Sequence, residues 1–91
     1  MKFPREFFEP LIGKKVKIIK STDESIEGVE GIIISETKNT FKIRKLSNNR
    51  EIRVIKKICK FQIKIDEERN IIVDGKLLEN RYAKIRKMIR R

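Results

Sequence analysis

Histidine and tryptophan are absent from the sequence, and cysteine occurs once, at position 59. A single cysteine excludes an intrachain disulfide and a zinc site built from this chain's own cysteines. Without histidine, the nucleophile–base pairs that covalent catalysis needs are scarce, and we predict no catalytic residues. Cys59 lies between Ile58 and Lys60 in a strand-like run, which favours a buried, apolar role over that of a reactive thiol.

Long apolar runs are also missing. No stretch approaches the roughly twenty apolar residues that a membrane helix needs, and the first residues lack the apolar segment of a signal peptide. We therefore expect neither a membrane-spanning segment nor a secretory signal, and we predict a cytoplasmic location.

Clusters of metal-ligating residues are poorly represented. Asp66, Glu67 and Glu68 form a run of three carboxylates, but neighbours within one turn rarely converge on the same ion. A solvated, charged turn is therefore the favoured interpretation. We predict no metal site and no cofactor bound by this chain.

Positive charge, in contrast, is in excess. Lysine and arginine number 24 against 13 acidic residues, which gives a formal net charge of +11. The signs are segregated: residues 38–64 carry ten basic residues and one acidic residue, and residues 76–91 carry seven and one. The ion-pair networks of a thermophile's surface would need both signs interleaved. The pattern favours a polyanionic partner, with nucleic acid first and an acidic protein or membrane surface second.

Alternating apolar and polar residues predict strands along most of the chain. Residues 28–43 contain two such runs separated by the polar turn 36–40, a pattern typical of a β-hairpin. Further runs start near residues 14 and 51, and those at 60–65 and 71–73 complete about six strands. Gly31 allows the second strand to bulge or bend, as a small sheet must do to curl on itself. We predict an all-β, single-domain fold, a small antiparallel barrel.

The two ends of the chain depart from the strand period. Residues 1–12 predict a short N-terminal helical extension, which Pro10 interrupts. Its apolar side chains either pack on the barrel or form a patch for a partner protein, and the candidates for that patch are Phe7, Phe8 and Leu11. Residues 79–91 predict a basic C-terminal helix with Asn80 as its N-cap. The barrel itself is assigned to residues 13–78.

Several short motifs occur in an order that resembles a known family. They are Leu11-Ile12-Gly13, Gly28-Val29-Glu30-Gly31, Glu36-Thr37-Lys38-Asn39-Thr40-Phe41-Lys42-Ile43 and Val73-Asp74-Gly75-Lys76-Leu77-Leu78, followed by an arginine-rich segment. With these motifs the chain resembles the archaeal ribonuclease P protein component one, kin to a eukaryotic ribonuclease P and MRP subunit. The resemblance spans nearly the whole chain from Leu11 onward.

The resemblance implies an Sm-like, SH3-like antiparallel barrel with helical extensions at both ends. It implies a non-catalytic subunit that binds the catalytic RNA of ribonuclease P, which removes the 5′ leader from precursor tRNA using magnesium ions. It also implies a zinc-ribbon protein subunit of the same enzyme as a partner. Magnesium would serve the RNA of the holoenzyme, and the isolated chain is expected to be a monomer without a membrane partner.

The candidate RNA-binding residues come from two sources. Lys38 and Asn39 lie in the turn that matches the family, and the others are chosen for their expected exposure. The complete set is Lys38, Asn39, Lys42, Arg44, Lys56, Arg81, Lys84 and Lys87. Because exposed aromatic platforms are lacking, we expect phosphate contacts rather than sequence readout. Three alternatives stay open: another small-barrel RNA-binding protein of ribosomal or Sm type, a basic protein–protein adaptor, and a nuclease in its own right.

Overall fold

Six antiparallel strands contain half of residues 10–81, the part of the chain that the computed structural model describes. They are β1 (Lys15–Ser21), β2 (Glu30–Glu36), β3 (Thr40–Lys45), β4 (Glu51–Ile55), β5 (Cys59–Lys64) and β6 (Asn70–Asp74). Their order across the sheet is β4-β3-β2-β1-β5-β6. One 3-10 turn at Glu24–Ile26 follows β1, and another at Lys56–Ile58, here called the 56–58 turn, joins β4 to β5. A helix, α1, begins at residue 75 and extends to residue 81, the end of the described range. Among residues 10–81, no helix is long and apolar enough to cross a membrane.

Alternation along the strands places apolar side chains in one core and cations outside it. In β3, Phe41 and Ile43 are completely buried, whereas Arg44 is exposed and Lys42 is partly exposed. Cys59 belongs to the same core, which confirms its predicted burial. The outer face of the sheet is therefore where charged side chains meet solvent.

The sheet curls until strands from its two halves face each other. β3 and β5 are separated by β1 and β2 in the sheet, yet the rings of Phe41 and Phe61 meet edge to face with their centroids 5.3 Å apart. A β-bulge between Ile33 and Ser35 in β2 adds curvature. The predicted all-β, barrel-like fold is confirmed. The barrel is open, because no strand pairing within residues 10–81 joins β4 to β6.

Helix α1 starts earlier than the sequence pattern predicts. Asp74 acts as the N-cap, since its carboxylate oxygen Oδ1 accepts a hydrogen bond of 2.9 Å from the backbone amide of Lys76. Leu78 then packs into the core with no exposed surface. The prediction of Asn80 as the N-cap is wrong, because Asn80 is an exposed residue inside the helix.

Two predicted segments fall on residues outside the described range. The N-terminal extension, with Phe7 and Phe8, lies almost entirely in residues 1–9. Most of the predicted C-terminal helix, with Lys84 and Lys87, lies in residues 82–91. The assignments of these four side chains stay predictions.

The junction between β6 and α1 packs closely on the 56–58 turn. A Cβ atom at Gly75 would overlap the backbone carbonyl of Lys56, which cannot rotate away as a side chain can. Gly75→Ala is therefore expected to lower the free energy of unfolding by about 1–3 kcal/mol, although alanine favours a helix more than glycine does. Urea unfolding followed by circular dichroism measures the change.

The matched control for this substitution is Lys76→Ala, at the exposed neighbouring position. Its expected change in the free energy of unfolding is within about 0.5 kcal/mol, because no buried group is altered. Equal stabilities of the two variants would contradict the close approach of Gly75 to Lys56.

Candidate nucleic-acid interface

The outer face of β3 and β4 carries a pair of cations that no carboxylate separates. Lys42 in β3 lies directly opposite Arg53 in β4. Two residues further along β3, Arg44 lies opposite Glu51. Arg44 and Glu51 form an exposed ion pair with Nη2 and Oε2 3.7 Å apart. Within residues 10–81, neither Lys42 nor Arg53 has an acidic group within ion-pair distance. Both charges are therefore available to an external anion.

The same arrangement of opposed cations occurs twice more, between β1 and β5. Lys15 lies opposite Lys64, and Lys20 lies opposite Lys60. Like charges directly opposite each other on neighbouring strands destabilise a sheet. The described part of the fold thus retains three such pairs on its outer face at a cost to stability. Because Lys64 also pairs with Glu67 at 3.8 Å, a polyanion would relieve more repulsion at the other two pairs than at the Lys15–Lys64 pair.

The turn between β2 and β3 presents Lys38 and Asn39 on a rigid base. The hydroxyl oxygens of Thr37 and Thr40 lie 2.6 Å apart, and the Thr40 amide donates to Thr37 Oγ1 at 3.0 Å. The backbone carbonyl of Asn39 accepts a hydrogen bond of 2.8 Å from the amide of Lys56. Lys38 and Asn39 are both exposed, as the sequence predicts.

Lys56 and Arg81 are not on the surface, and the expectation that they are exposed is wrong. Their side chains are 0% and 2% exposed. Lys56 Nζ donates to Glu36 Oε2 at 2.7 Å and to the Thr37 carbonyl at 2.7 Å. Arg81 Nη1 donates to the same Glu36 oxygen at 3.0 Å. The Lys56 ammonium also lies 4.8 Å from the centroid of the Phe41 ring.

These two buried cations form a structural cluster with Glu36, which we call the Glu36 cluster. Burial lowers the pKa of the Lys56 ammonium, and the hydrogen bond and charge of Glu36 oppose that shift. Burial likewise lowers the pKa of Arg81, again opposed by Glu36. The cluster joins the end of β2 to the 56–58 turn and to α1. We therefore remove Lys56 and Arg81 from the candidate RNA-binding set.

A break in the strand period explains why sequence reasoning missed the Glu36 cluster. The bulge between Ile33 and Ser35 shifts the alternation by one residue, so Glu36 pairs with Phe41 and shares its inward face. Lys56 and Lys57 are adjacent lysines, and nothing local distinguishes the buried one from the exposed one. The sequence contains no signal that would have identified the partners.

Leu11, a candidate for the protein interface, is 1% exposed and belongs to the apolar core. Its side chain is therefore not offered to a partner by the described structure. Exposed apolar side chains instead include Ile72 on β6 and Ile55 on β4, the two edge strands of the sheet.

The described residues offer little for metal binding or nucleophilic chemistry. Within residues 10–81, no three His, Cys, Asp or Glu side chains are placed to hold a metal ion. Cys59 is buried, and its Sγ donates to the hydroxyl of Ser21 at 3.4 Å. Burial raises the pKa of the Cys59 thiol, which keeps it protonated and unreactive.

Comparison with known proteins identifies a matching family. The family described as ribonuclease P/MRP, subunit p29, matches residues 7–87. Ribonuclease P protein component 1 of Methanococcus aeolicus is 42% identical over 71 residues, which cover 78% of this chain and 73% of that protein. The protein of the same name from Sulfurisphaera tokodaii is 43% identical over 74 residues, covering 81% of this chain and 92% of the relative.

A relative of nearly full coverage and a solved structure agree with this match. Ribonuclease P protein component 1 of Methanothermobacter thermautotrophicus is 34% identical over 90 residues, covering 97% of this chain and 96% of that protein. A solved structure of a homologue of the human RNase P protein Rpp29 is 34% identical, with a TM-score of 0.59 over 74% of this chain and 85% of the other.

Proposed function

The chain belongs to the p29 family of ribonuclease P/MRP subunits, and on that premise we propose that it is a non-catalytic, RNA-binding subunit of ribonuclease P. In this role it binds the catalytic RNA of the holoenzyme and helps that RNA to remove 5′ leaders from precursor tRNA. Contacts to the phosphate backbone would stabilise the active RNA fold without reading the base sequence. Among the described residues, the candidate contacts kept for this role are Lys38, Asn39, Lys42 and Arg44. Lys84 and Lys87 stay predicted contacts.

The observation that carries this proposal is the set of opposed cations on the outer face of the sheet. Lys42 with Arg53 and Lys20 with Lys60 face each other in register, and within residues 10–81 none of these four side chains forms an ion pair. A fold that gained nothing from these charges would be more stable with opposite signs in each pair. Cations that an ordered sheet holds at the spacing of its strands are suited to neutralising phosphates along a nucleic-acid backbone.

The chemistry of the reaction is assigned to the RNA and its magnesium ions. The sequence has no histidine, and its one thiol is buried and protonated. These features favour a positioning role for the protein rather than one at the scissile phosphate. The chain itself is proposed to hold no cofactor and to act in the cytoplasm.

A second protein subunit completes the proposed assembly. A zinc-ribbon subunit of the same holoenzyme is the expected protein partner, with Phe7 and Phe8 as the predicted contacts on this chain. In isolation the chain is expected to be a monomer, which distinguishes it from a ring-forming Sm-type protein. Size-exclusion chromatography with light scattering measures that difference.

The test is reconstitution of ribonuclease P from the RNA and protein components of Methanococcus aeolicus, with this chain replacing its component 1. Cleavage of precursor tRNA at the 5′ side is expected to fall when the chain is omitted and to recover when it is added. The chain without RNA is expected to cleave nothing. RNA binding measured alone is expected to weaken by about tenfold or more between about 50 and 200 mM salt, because phosphate contacts release counterions.

The outcomes separate the alternatives. Cleavage of precursor tRNA by the chain alone would replace the proposal with a nuclease. A homo-oligomer in solution would favour an Sm-type protein. RNA binding that does not change with salt would contradict phosphate contacts and leave a protein–protein adaptor as the better interpretation.

A further inference from the structure

A groove of about 270 Å³ opens where the end of β1, the 56–58 turn, the start of β5 and the first residues of α1 meet. The geometry points to a binding site for the phosphodiester backbone of an RNA strand in this groove, a role that rests on the proposed function. Its four lysines are Lys20, Lys57, Lys60 and Lys76, and we call it the lysine groove. None of these four residues belongs to the RNA-binding set predicted from the sequence.

Strand register and backbone hydrogen bonds fix the walls of the lysine groove. Lys20 lies opposite Lys60, and Lys60 in turn lies opposite Asp74. Lys20 reaches this register because a β-bulge between Ile18 and Lys20 shifts the strand by one residue. The amide of Thr22 donates to the carbonyl of Ile58 at 3.1 Å and holds the end of β1 against the 56–58 turn. The four lysines therefore project from a framework that is already ordered.

The charge of the lysine groove is almost entirely uncompensated. Within residues 10–81, none of its four lysines forms an ion pair. The one carboxylate among the described lining residues, that of Asp74, accepts a hydrogen bond from the Lys76 amide as the cap of α1. A second carboxylate, that of Asp23, lies near Cys59. Its Oδ1 atom accepts hydrogen bonds from the amide and the hydroxyl of Ser25.

A second groove of similar size, which we call the compensated groove, provides the contrast. It also measures about 270 Å³ and contains Lys15, Lys17 and Lys64, but its lining includes Glu30 and Glu67. Lys17 pairs with Glu30 at 3.9 Å, and Lys64 pairs with Glu67 at 3.8 Å. Two of its three lysines are thus neutralised within the molecule. An anion gains more from the lysine groove, where the cations have no such partners among residues 10–81.

Hydroxyl groups supply the hydrogen bonds that a phosphate oxygen would accept. Ser21 and Thr22 both line the lysine groove. The oxygen of Ser21 accepts from the Asp23 amide at 3.0 Å and from Cys59 Sγ at 3.4 Å, so its own proton remains to be donated. The described residues of the lining include no aromatic ring on which a base would stack. These groups suit the sugar–phosphate backbone rather than base recognition.

The lysine groove adjoins the turn that carries Lys38 and Asn39. Lys57 follows Lys56 directly, and the Lys56 amide donates to the Asn39 carbonyl at 2.8 Å. The 56–58 turn thus connects the predicted RNA-binding turn with the lysine groove. One RNA backbone passing over the 56–58 turn would meet cations on both sides of it.

The experiment compares two triple variants that remove the same charge. One is K20Q/K57Q/K60Q in the lysine groove, and the other is K15Q/K17Q/K64Q in the compensated groove. Binding of full-length chains to a transcript of the Methanococcus aeolicus ribonuclease P RNA is measured over a range of salt concentrations. The slope of log affinity against log salt is negative. The lysine-groove variant is expected to reduce its magnitude by about 2–3, and the other variant by less than about 1.

Further arms of the experiment identify the ligand and exclude a folding defect. K20R/K57R/K60R keeps the charges and is expected to restore the slope. No variant is expected to lose appreciable thermal stability, because the substituted side chains are exposed or partly exposed. Equal slopes for the two glutamine variants would contradict RNA binding in the lysine groove, but the proposed RNA-binding function of the chain would stand. Binding of tripolyphosphate that depends on the groove lysines, with no change in RNA binding, would assign the groove to small anions instead. Failure of the unmodified chain to bind RNA would overturn the proposed function itself.

Discussion

Glu36→Gln is expected to lower the free energy of unfolding by about 3–5 kcal/mol, a large share of the roughly 5–15 kcal/mol available to a small domain. The Oε2 atom of Glu36 accepts from both Lys56 and Arg81, at 2.7 and 3.0 Å, in a site that is almost fully buried. Glutamine keeps the shape of the side chain but removes its charge. The two cations would then lack the carboxylate that balances them in the low-dielectric interior.

The control for Glu36→Gln is the same chemical change at the surface. Glu51 is 47% exposed and lies 3.7 Å from Arg44. Glu51→Gln is expected to change the free energy of unfolding by less than about 1 kcal/mol, because exposed ion pairs contribute little. Urea unfolding followed by far-ultraviolet circular dichroism is the suitable measurement, since the chain has no tryptophan. A loss at Glu36 no larger than that at Glu51 would contradict the Glu36 cluster.

A double variant tests whether buried charge is the cause of the loss. Glu36→Gln combined with Lys56→Met removes one of the two cations together with the carboxylate. The double variant is expected to be more stable than Glu36→Gln alone, because it also removes one of the two buried cations that lost the Glu36 carboxylate. An additive loss would indicate that packing, rather than charge, dominates the site.

Lys42→Glu is expected to change stability and RNA affinity in opposite directions. The new carboxylate would lie opposite Arg53 and convert a repulsive cross-strand pair into an attractive one. The free energy of unfolding is expected to rise by about 0.2–1 kcal/mol. Affinity for ribonuclease P RNA is expected to fall by about tenfold or more, because a phosphate contact is replaced by repulsion. Chemical unfolding and filter binding on the same preparations measure the two effects.

Lys15→Glu is the matched control for this second prediction. Lys15 lies opposite Lys64, so the same change of charge is made in the same cross-strand geometry. The position belongs to the compensated groove, and a much smaller loss of RNA affinity is expected there. If Lys42→Glu gained stability and kept full RNA affinity, the outer face of β3 and β4 would not be an RNA-binding surface.

Local patterns were enough to locate most of the strands and their cations. The predicted run 60–65 corresponds to β5 at Cys59–Lys64, and the predicted hairpin at 28–43 corresponds to β2 and β3. Alternation with period two identifies inward and outward positions wherever a strand is regular. Lys42 and Arg44 were therefore assigned correctly to the outer face from β3 alone.

Prediction from local pattern failed wherever the backbone departed from a regular period. The bulge in β2 turned Glu36 inward, and the cap at Asp74 started α1 five residues before Asn80. A bulge adds one residue without leaving a compositional mark. A glycine after Asp74 fits a turn as well as the first residue of a helix.

The fold class and the excess of positive charge thus follow from composition and strand period. Tertiary structure alone decided which cations are buried and which are free for a polyanion. Lys56 meets Glu36 across 20 residues of chain, and Arg81 meets it across 45. Charge pairing depends on distance in space, and only the curling of the sheet brings such residues together or leaves the lysines of the lysine groove without an ion pair among residues 10–81.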